Sequence, residues 1–137
     1  MTTREETAAI AILKKTIENF DQFNWCQYHE ALNENKEKIS YMASEAKSLC
    51  LVGGLKRADW DIIIIRNFTP IERGLGYKII LQTIKQLIME KTDSQKEIPP
   101  EWNEQFLAEF NDSKNQTFPV TKELIEEALD KLTQGKE

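Results

Sequence analysis

Histidine occurs once and cysteine twice in the 137 residues. A structural zinc site takes about four ligands, and Cys26, Cys50 and His29 do not supply them. Two cysteines at that separation form neither a disulfide scaffold nor a metal knuckle, so both are expected reduced, with Cys50 in the interior. The reading carries no metal and no cofactor. Long apolar runs are missing too. Ile62 to Ile65 falls far short of the ~20 apolar residues that a helix needs to cross a bilayer, and Met1-Thr2-Thr3-Arg4-Glu5-Glu6 places acids where a signal peptide has a basic region and an apolar core. A cytoplasmic protein with no membrane partner is the expectation. Nor is there an excess of positive charge: the net charge is -5. Met1 to Glu97 holds fourteen acidic and fourteen basic residues, so Ile98 to Glu137, with nine acidic and four basic, carries the whole imbalance. An acidic tail third repels phosphate backbones, and nucleic acid is not an expected partner.

What remains is the composition of an ordinary globule, 40% hydrophobic and 30% charged. A chain of this length fits one domain with one core, taken as residues 1–137. The stretch Ser48-Leu49-Cys50-Leu51-Val52-Gly53-Gly54-Leu55 is apolar, uncharged and glycine-bearing. It can sit in the interior with another backbone pressed against it.

Periodicity and caps point to an all-α, mainly helical fold, a single compact array of five or six helices, with a short β-hairpin near Trp25 or Ile62 as the alternative to part of it. Thr3 and Glu6 form a capping box for a helix from Arg4 to Phe20, with Ile10, Leu13, Ile17 and Phe20 on its inner stripe. Trp25 to Leu32 fits alternation and helical spacing equally, and Asn33 to Ser40 reads as an exposed connection. Met42, Ala43, Ala46, Leu49, Cys50 and Gly53 recur at helical intervals, which predicts a helix over Ile39 to Arg57 that ends in the glycine-bearing stretch. Asp61 is read as a cap for a short buried helix through the isoleucines, although their propensity favours a strand. Thr69-Pro70-Ile71-Glu72 is the clearest start signal, opening a helix through Met89 whose apolar face includes Tyr77, Ile80, Leu81, Ile84, Leu87 and Ile88. After a polar loop over Thr92 to Glu97, Pro99-Pro100 leads into a helix from Glu101 to Phe110 with Trp102, Phe106 and Phe110 four apart. Asn111-Asp112-Ser113 is a stop and turn. A last helix, Pro119 to Thr133, turns Val120, Leu124, Ala128, Leu129 and Leu132 inward, and Gly135 ends it.

Candidate chemistry is sparse. A cysteine nucleophile needs a base and an orienting group, and Cys26, His29 and Asp112 are the residues available for those parts. Cys26 beside Trp25 is better explained by packing, and no residue is assigned as catalytic. Gly74-Leu75-Gly76-Tyr77-Lys78 lacks the third glycine and preceding strand of a dinucleotide loop, and it is not a Gly-Lys-Ser/Thr phosphate loop. Arg57, Arg66, Arg73 and Lys78 are the cations available to a small anionic ligand. Glu123, Glu126, Glu127 and Asp130 need no metal to explain them on an exposed helix. Trp25, Trp60 and Trp102 read as core or boundary anchors; one left exposed beside Phe23, Tyr28 or Phe68 would mark a contact site.

Three segments occur in an order that resembles a family of small uncharacterised bacterial and phage-borne domains, a domain of unknown function. They are Trp25-Cys26-Gln27, Leu49-Cys50-Leu51-Val52-Gly53-Gly54-Leu55, and Phe110-Asn111-Asp112 followed by Thr117 and Val120. Gly54 stands where that family favours alanine and Phe110 where it favours tryptophan. The resemblance implies a shared fold and brings no activity with it; an accessory role in a phage or mobile element is a separate expectation.

The leading expectation is a non-enzymatic binding or accessory module that contacts another protein, with a homodimer as a further possibility. The competing reading is a small anionic-ligand binder or Cys/His-dependent hydrolase using a pocket near Trp25, Gln27, His29, Asn111 and Asp112, with Arg73 or Arg57 steering the anion. Asn111 and Asp112 also have a purely structural reading, since both side chains can bond neighbouring amides.

Overall fold

A computed structural model describes residues 3–63, 67–94, 97–113 and 116–134. Expectations placed on Ile64, Ile65, Arg66 and Gly135 lie outside the described residues. Helices dominate: α1 spans Arg4–Asn19, α2 Leu51–Ile62, α3 Pro70–Thr92, α4 Asn103–Asn111 and α5 Phe118–Thr133, with a 3-10 turn at Pro100–Trp102 leading into α4. The mainly helical reading holds. A small sheet accompanies the helices, made of β1 Asn24–Trp25, β2 Ala31–Leu32 and β3 Ser48–Leu49 in the order β1-β3-β2. β3 is the middle strand, parallel to β1 and antiparallel to β2. No helix among the described residues is long and apolar enough to cross a membrane.

Local capping explains where the helices start. Thr3 and Glu6 form the reciprocal box on α1, and Thr69 and Glu72 form it on α3, with Pro70 at the first helical position. α1 then lies between α2, α3 and α5. It therefore buries a broader and rotated face: Ala8, Ala9, Ile12, Leu13, Thr16, Asn19 and Phe20 are inside, whereas Ile10 and Ile17 are only half-buried. The two polar residues on that face are satisfied. Thr16 Oγ1 donates to Ile12 O at 2.7 Å and Asn19 Nδ2 to Asp61 Oδ2 at 2.9 Å.

The expected helix over Ile39 to Arg57 is not formed. Residues 39–47 run as turns and irregular chain, Ser48–Leu49 pair as β3, and α2 begins only at Leu51. The glycine-bearing stretch is thus the first turn of a helix rather than its last. Cys50 is the cap, its Sγ accepting from Gly53 N at 3.2 Å. Glycine at 53 is required by a neighbouring backbone, because a Cβ there would lie 2.0 Å from the carbonyl oxygen of Glu30, which already accepts from Cys50 N at 3.1 Å. Gly54 faces the Phe20 ring in the same way. Each glycine costs a helix about 1 kcal/mol against alanine. Full burial of Leu51 and Leu55 contributes about 1.5–3 kcal/mol each and outweighs it.

α3 supplies Ile80, Leu81, Ile84, Leu87 and Ile88 to the core, and Gly76 brings its backbone against Glu5 and Ala9 of α1. Lys85 is buried on this helix and donates through Nζ to Ile98 O at 3.2 Å, which ties down the approach to Pro100. On α5 the inward residues are Thr121, Leu124, Ile125 and Ala128, spaced by three and four; Val120, expected inside, is exposed because it falls off that stripe. On α4 the four-residue series that faces inward is Asn103, Leu107 and Asn111, one position after the expected series Trp102, Phe106 and Phe110.

Candidate functional site

Four of the residues singled out in the sequence meet where β1 approaches the end of α4. α4 stops at Asn111 because Asp112 and Ser113 turn the chain, and Asn111 projects into the interior, fully buried. Its Oδ1 accepts from Trp25 Nε1 at 2.7 Å and from Leu51 N at 3.0 Å, and its Nδ2 donates to Cys26 O at 3.1 Å. One amide side chain thereby joins β1, the open first turn of α2 and the end of α4. Gln27 Nε2 donates to Asn111 O at 2.9 Å and Ser113 O at 3.1 Å. Asp112 Oδ1 accepts from Tyr28 N at 2.7 Å. This holds Tyr28 at a positive φ of 72°, with its ring 69% exposed.

Beside this cluster is a recess of about 210 Å³ lined by Tyr28, His29, Glu30, Cys50, Glu104 and Asp112 among others. His29 reaches it from an exposed position, and Trp25, Gln27 and Asn111 lie in the hydrogen-bonded cluster instead of along its wall. Arg73 does not line it either; its Nη1 pairs with Asp59 Oδ1 at 3.2 Å between α2 and α3. Arg57 is likewise engaged, with Asp61 at 3.3 Å and with the carbonyls of Tyr41 and Ala43. Lys56 sits between two carboxylates, Glu30 at 2.6 Å and Glu104 at 3.1 Å. Burial pulls its pKa down, and those two carboxylates more than reverse the effect, so the ammonium is held in its charged form.

The thiols are poorly disposed to nucleophilic work. Burial, followed by the nearby Cys50 and Asp112, pushes the Cys26 thiol up to about 12. Its Sγ donates to the main-chain oxygen of His29 at 3.4 Å. Burial pushes Cys50 up to about 11, although amide hydrogen bonds from Gly53 and Val52 act in the opposite direction. A thiolate at neutral pH is the prerequisite of cysteine catalysis, and both sulfurs are held as thiols. Among the described residues no group of three or more His, Cys, Asp or Glu is placed to hold a metal ion.

A second, larger feature was not singled out in the sequence. A cleft of about 950 Å³ opens between the start of α1, the outer side of α3 and the 3-10 turn, lined by Glu5, Leu75, Lys78, Ile79, Pro100 and Asn103 among others. Its signal in the sequence was the pair Leu75 and Ile79, four residues apart and off the stripe that faces the core; Ile71, four residues earlier, continues the row outside the lining. Trp102, expected as an anchor, is 52% exposed on the adjoining turn. Comparison of the chain with protein-family models, with curated proteins and with solved structures gave no match.

Proposed function

We propose that this chain is a non-enzymatic binding module that contacts another protein, and that the contact is made in the cleft between α1, α3 and the 3-10 turn. The observation that carries the reading is the open aliphatic row of α3. Leu75 is 41% exposed on the cleft with Ile79 beside it, and Ile71, four residues before Leu75 and outside the lining, is 75% exposed on the same helix; contiguous apolar surface of this kind marks contact sites. Two further points support it. The Trp25, Gln27, Asn111 and Asp112 side chains spend their hydrogen bonds on one another and on neighbouring backbone, as the structural reading of Asn111 and Asp112 requires. The sulfur groups are protonated and buried. The likeness in segment order to phage-borne domains accords with an accessory role.

The second reading, a small ligand held near His29 and Asp112, has the 210 Å³ recess in its favour. Glu30, Glu104 and Asp112 on that recess disfavour an anion there, and Lys56 is already engaged by two of them.

Photo-crosslinking in the producing cells separates the two. A benzophenone amino acid at position 75 is expected to give a discrete protein adduct that the same group at position 18, on the far end of α1, does not give. Equal adducts from both positions, together with a metabolite that raises the melting temperature of the native chain but not of Asp112→Ala, would replace the first reading by the second.

A further inference from the structure

The walls of the cleft specify the chemistry of what they accept. Asn103 lies on the cleft and is only 4% exposed. Its Nδ2 donates to Gln82 Oε1 at 3.3 Å, and its Oδ1 has no hydrogen-bond partner among the described residues. A buried acceptor without a donor is destabilising, a deficit that an incoming N–H group removes. The charged groups around the opening are unbalanced in the same sense: among the described residues, Glu5, Glu6 and Glu101 line it against Lys78. Between them, Leu75 and Ile79 offer an apolar strip. From Leu75 to Thr83 the helix runs about 12 Å at 1.5 Å per residue, a length that two to three turns of a second helix cover.

We propose that the cleft receives a cationic amphipathic helix of a partner protein. Its aliphatic face lies on Leu75 and Ile79, and its lysine or arginine groups reach Glu5, Glu101 and the Oδ1 of Asn103. The proposal rests on the binding-module reading and adds to it the charge and shape of the partner. A second copy of this chain is the poorer fit, because the net charge of -5 and the acidic rim repel their like. Helix-in-groove recognition supplies the physical pattern: apolar anchors at helical spacing give affinity and the flanking charges give orientation and discrimination.

The test uses the full chain and two fluorescein-labelled peptides of about 14 residues with leucine at helical spacing, one filled out with lysine and the other with glutamate, read by anisotropy at physiological salt. The Leu/Lys peptide is expected to bind saturably and about ten-fold or more tighter than the Leu/Glu peptide. Leu75→Asp is expected to weaken it about ten-fold, although the added negative charge would strengthen a merely electrostatic attraction. Glu101→Lys should weaken it too. Both positions are exposed, and thermal unfolding verifies that the variants fold. Affinity unchanged or increased in Leu75→Asp overturns the proposal, since charge alone then explains the binding. Tighter binding of the Leu/Glu peptide, lost in Leu75→Asp, overturns the cationic partner and leaves the binding module standing. Failure of both peptides, with sedimentation that shows a dimer abolished by Leu75→Asp, overturns it in favour of a second copy. Failure of both peptides with no adduct from position 75 removes the proposal and the binding-module reading together.

Discussion

Trp25 Nε1 donates to Asn111 Oδ1 at 2.7 Å although 86 positions of sequence separate the two residues. The same oxygen accepts from Leu51 N, an amide that the start of α2 would otherwise leave open inside the protein. Joining β1 to the end of α4 and capping α2 are therefore carried by one side chain.

Asn111→Leu should accordingly lower the unfolding free energy by about 2–4 kcal/mol, because it strands the Trp25 and Leu51 donors and the Cys26 carbonyl together. Trp25→Phe removes one donor and leaves the cap on Leu51 intact, so its cost from the lost hydrogen bond should be about 1 kcal/mol. Urea unfolding of the two variants measures the difference; equal losses would contradict a shared oxygen as the centre of the cluster.

Two glycines should respond to alanine with opposite signs. At Gly53 the added Cβ would fall 2.0 Å from the Glu30 carbonyl oxygen. The backbone of α2 and the Glu30 segment must then separate, with a loss of more than about 2 kcal/mol expected. At Gly74 a Cβ meets nothing within 4 Å, and Gly74→Ala should stabilise by about 0.5–1 kcal/mol through helix propensity alone. Melting temperatures of the pair give the test.

Alkaline pH should destabilise the protein. Cys26 and Cys50 are raised to about 12 and 11, first by burial, and burial also raises Tyr77, whose hydroxyl donates to Glu104 Oε2 at 3.0 Å. These groups bind protons more tightly folded than unfolded. Their contribution is complete below the unfolded values, about 8.5 for a thiol and 10 for a phenol, and is lost as pH rises past them. Denaturant midpoints measured from pH 7 to 11 should fall steadily above about pH 9, and less steeply in a Cys26→Ala variant.

Tyr28 pays for its position with a left-handed backbone at φ 72°. Tyr28→Gly should keep the Asp112 hydrogen bond to the residue 28 amide and relieve about 1 kcal/mol of strain. If the ring served the fold, unfolding measurements would instead show a net loss.

Helices α1 and α3 were legible because their signals are local: Thr3 with Glu6, and Thr69 with Pro70 and Glu72, lie within one turn of the amides they satisfy. The region from Ile39 to Cys50 was misread for the opposite reason. Met42, Ala43, Ala46 and Leu49 have helical spacing, yet Ser48–Leu49 take strand partners at 24–25 and 31–32, and the start of α2 is set by Asn111 from 60 positions away. Spacing within one segment carries no trace of such distant partners. The inward series of α4 and of α1 were shifted for a related cause: which face is buried depends on how many neighbours a helix has, and α1 has three. Of the candidate site, the meeting of Trp25 and Gln27 with Asn111 and Asp112 was anticipated only from the order of segments. Arg73 was drawn in by charge alone, and its partner Asp59 lies on another helix. The cleft was written in Leu75 and Ile79, a pair that looks redundant until the core stripe of α3 is known.

The most direct test of the account is a titration of the isotopically labelled chain with the Leu/Lys peptide, followed by amide chemical shifts. Shifts concentrated at Glu5, Leu75, Lys78, Ile79 and Asn103, with Tyr28, His29 and Asp112 unmoved, are the predicted result. Shifts centred on Tyr28, His29 and Asp112 with the cleft silent would contradict it.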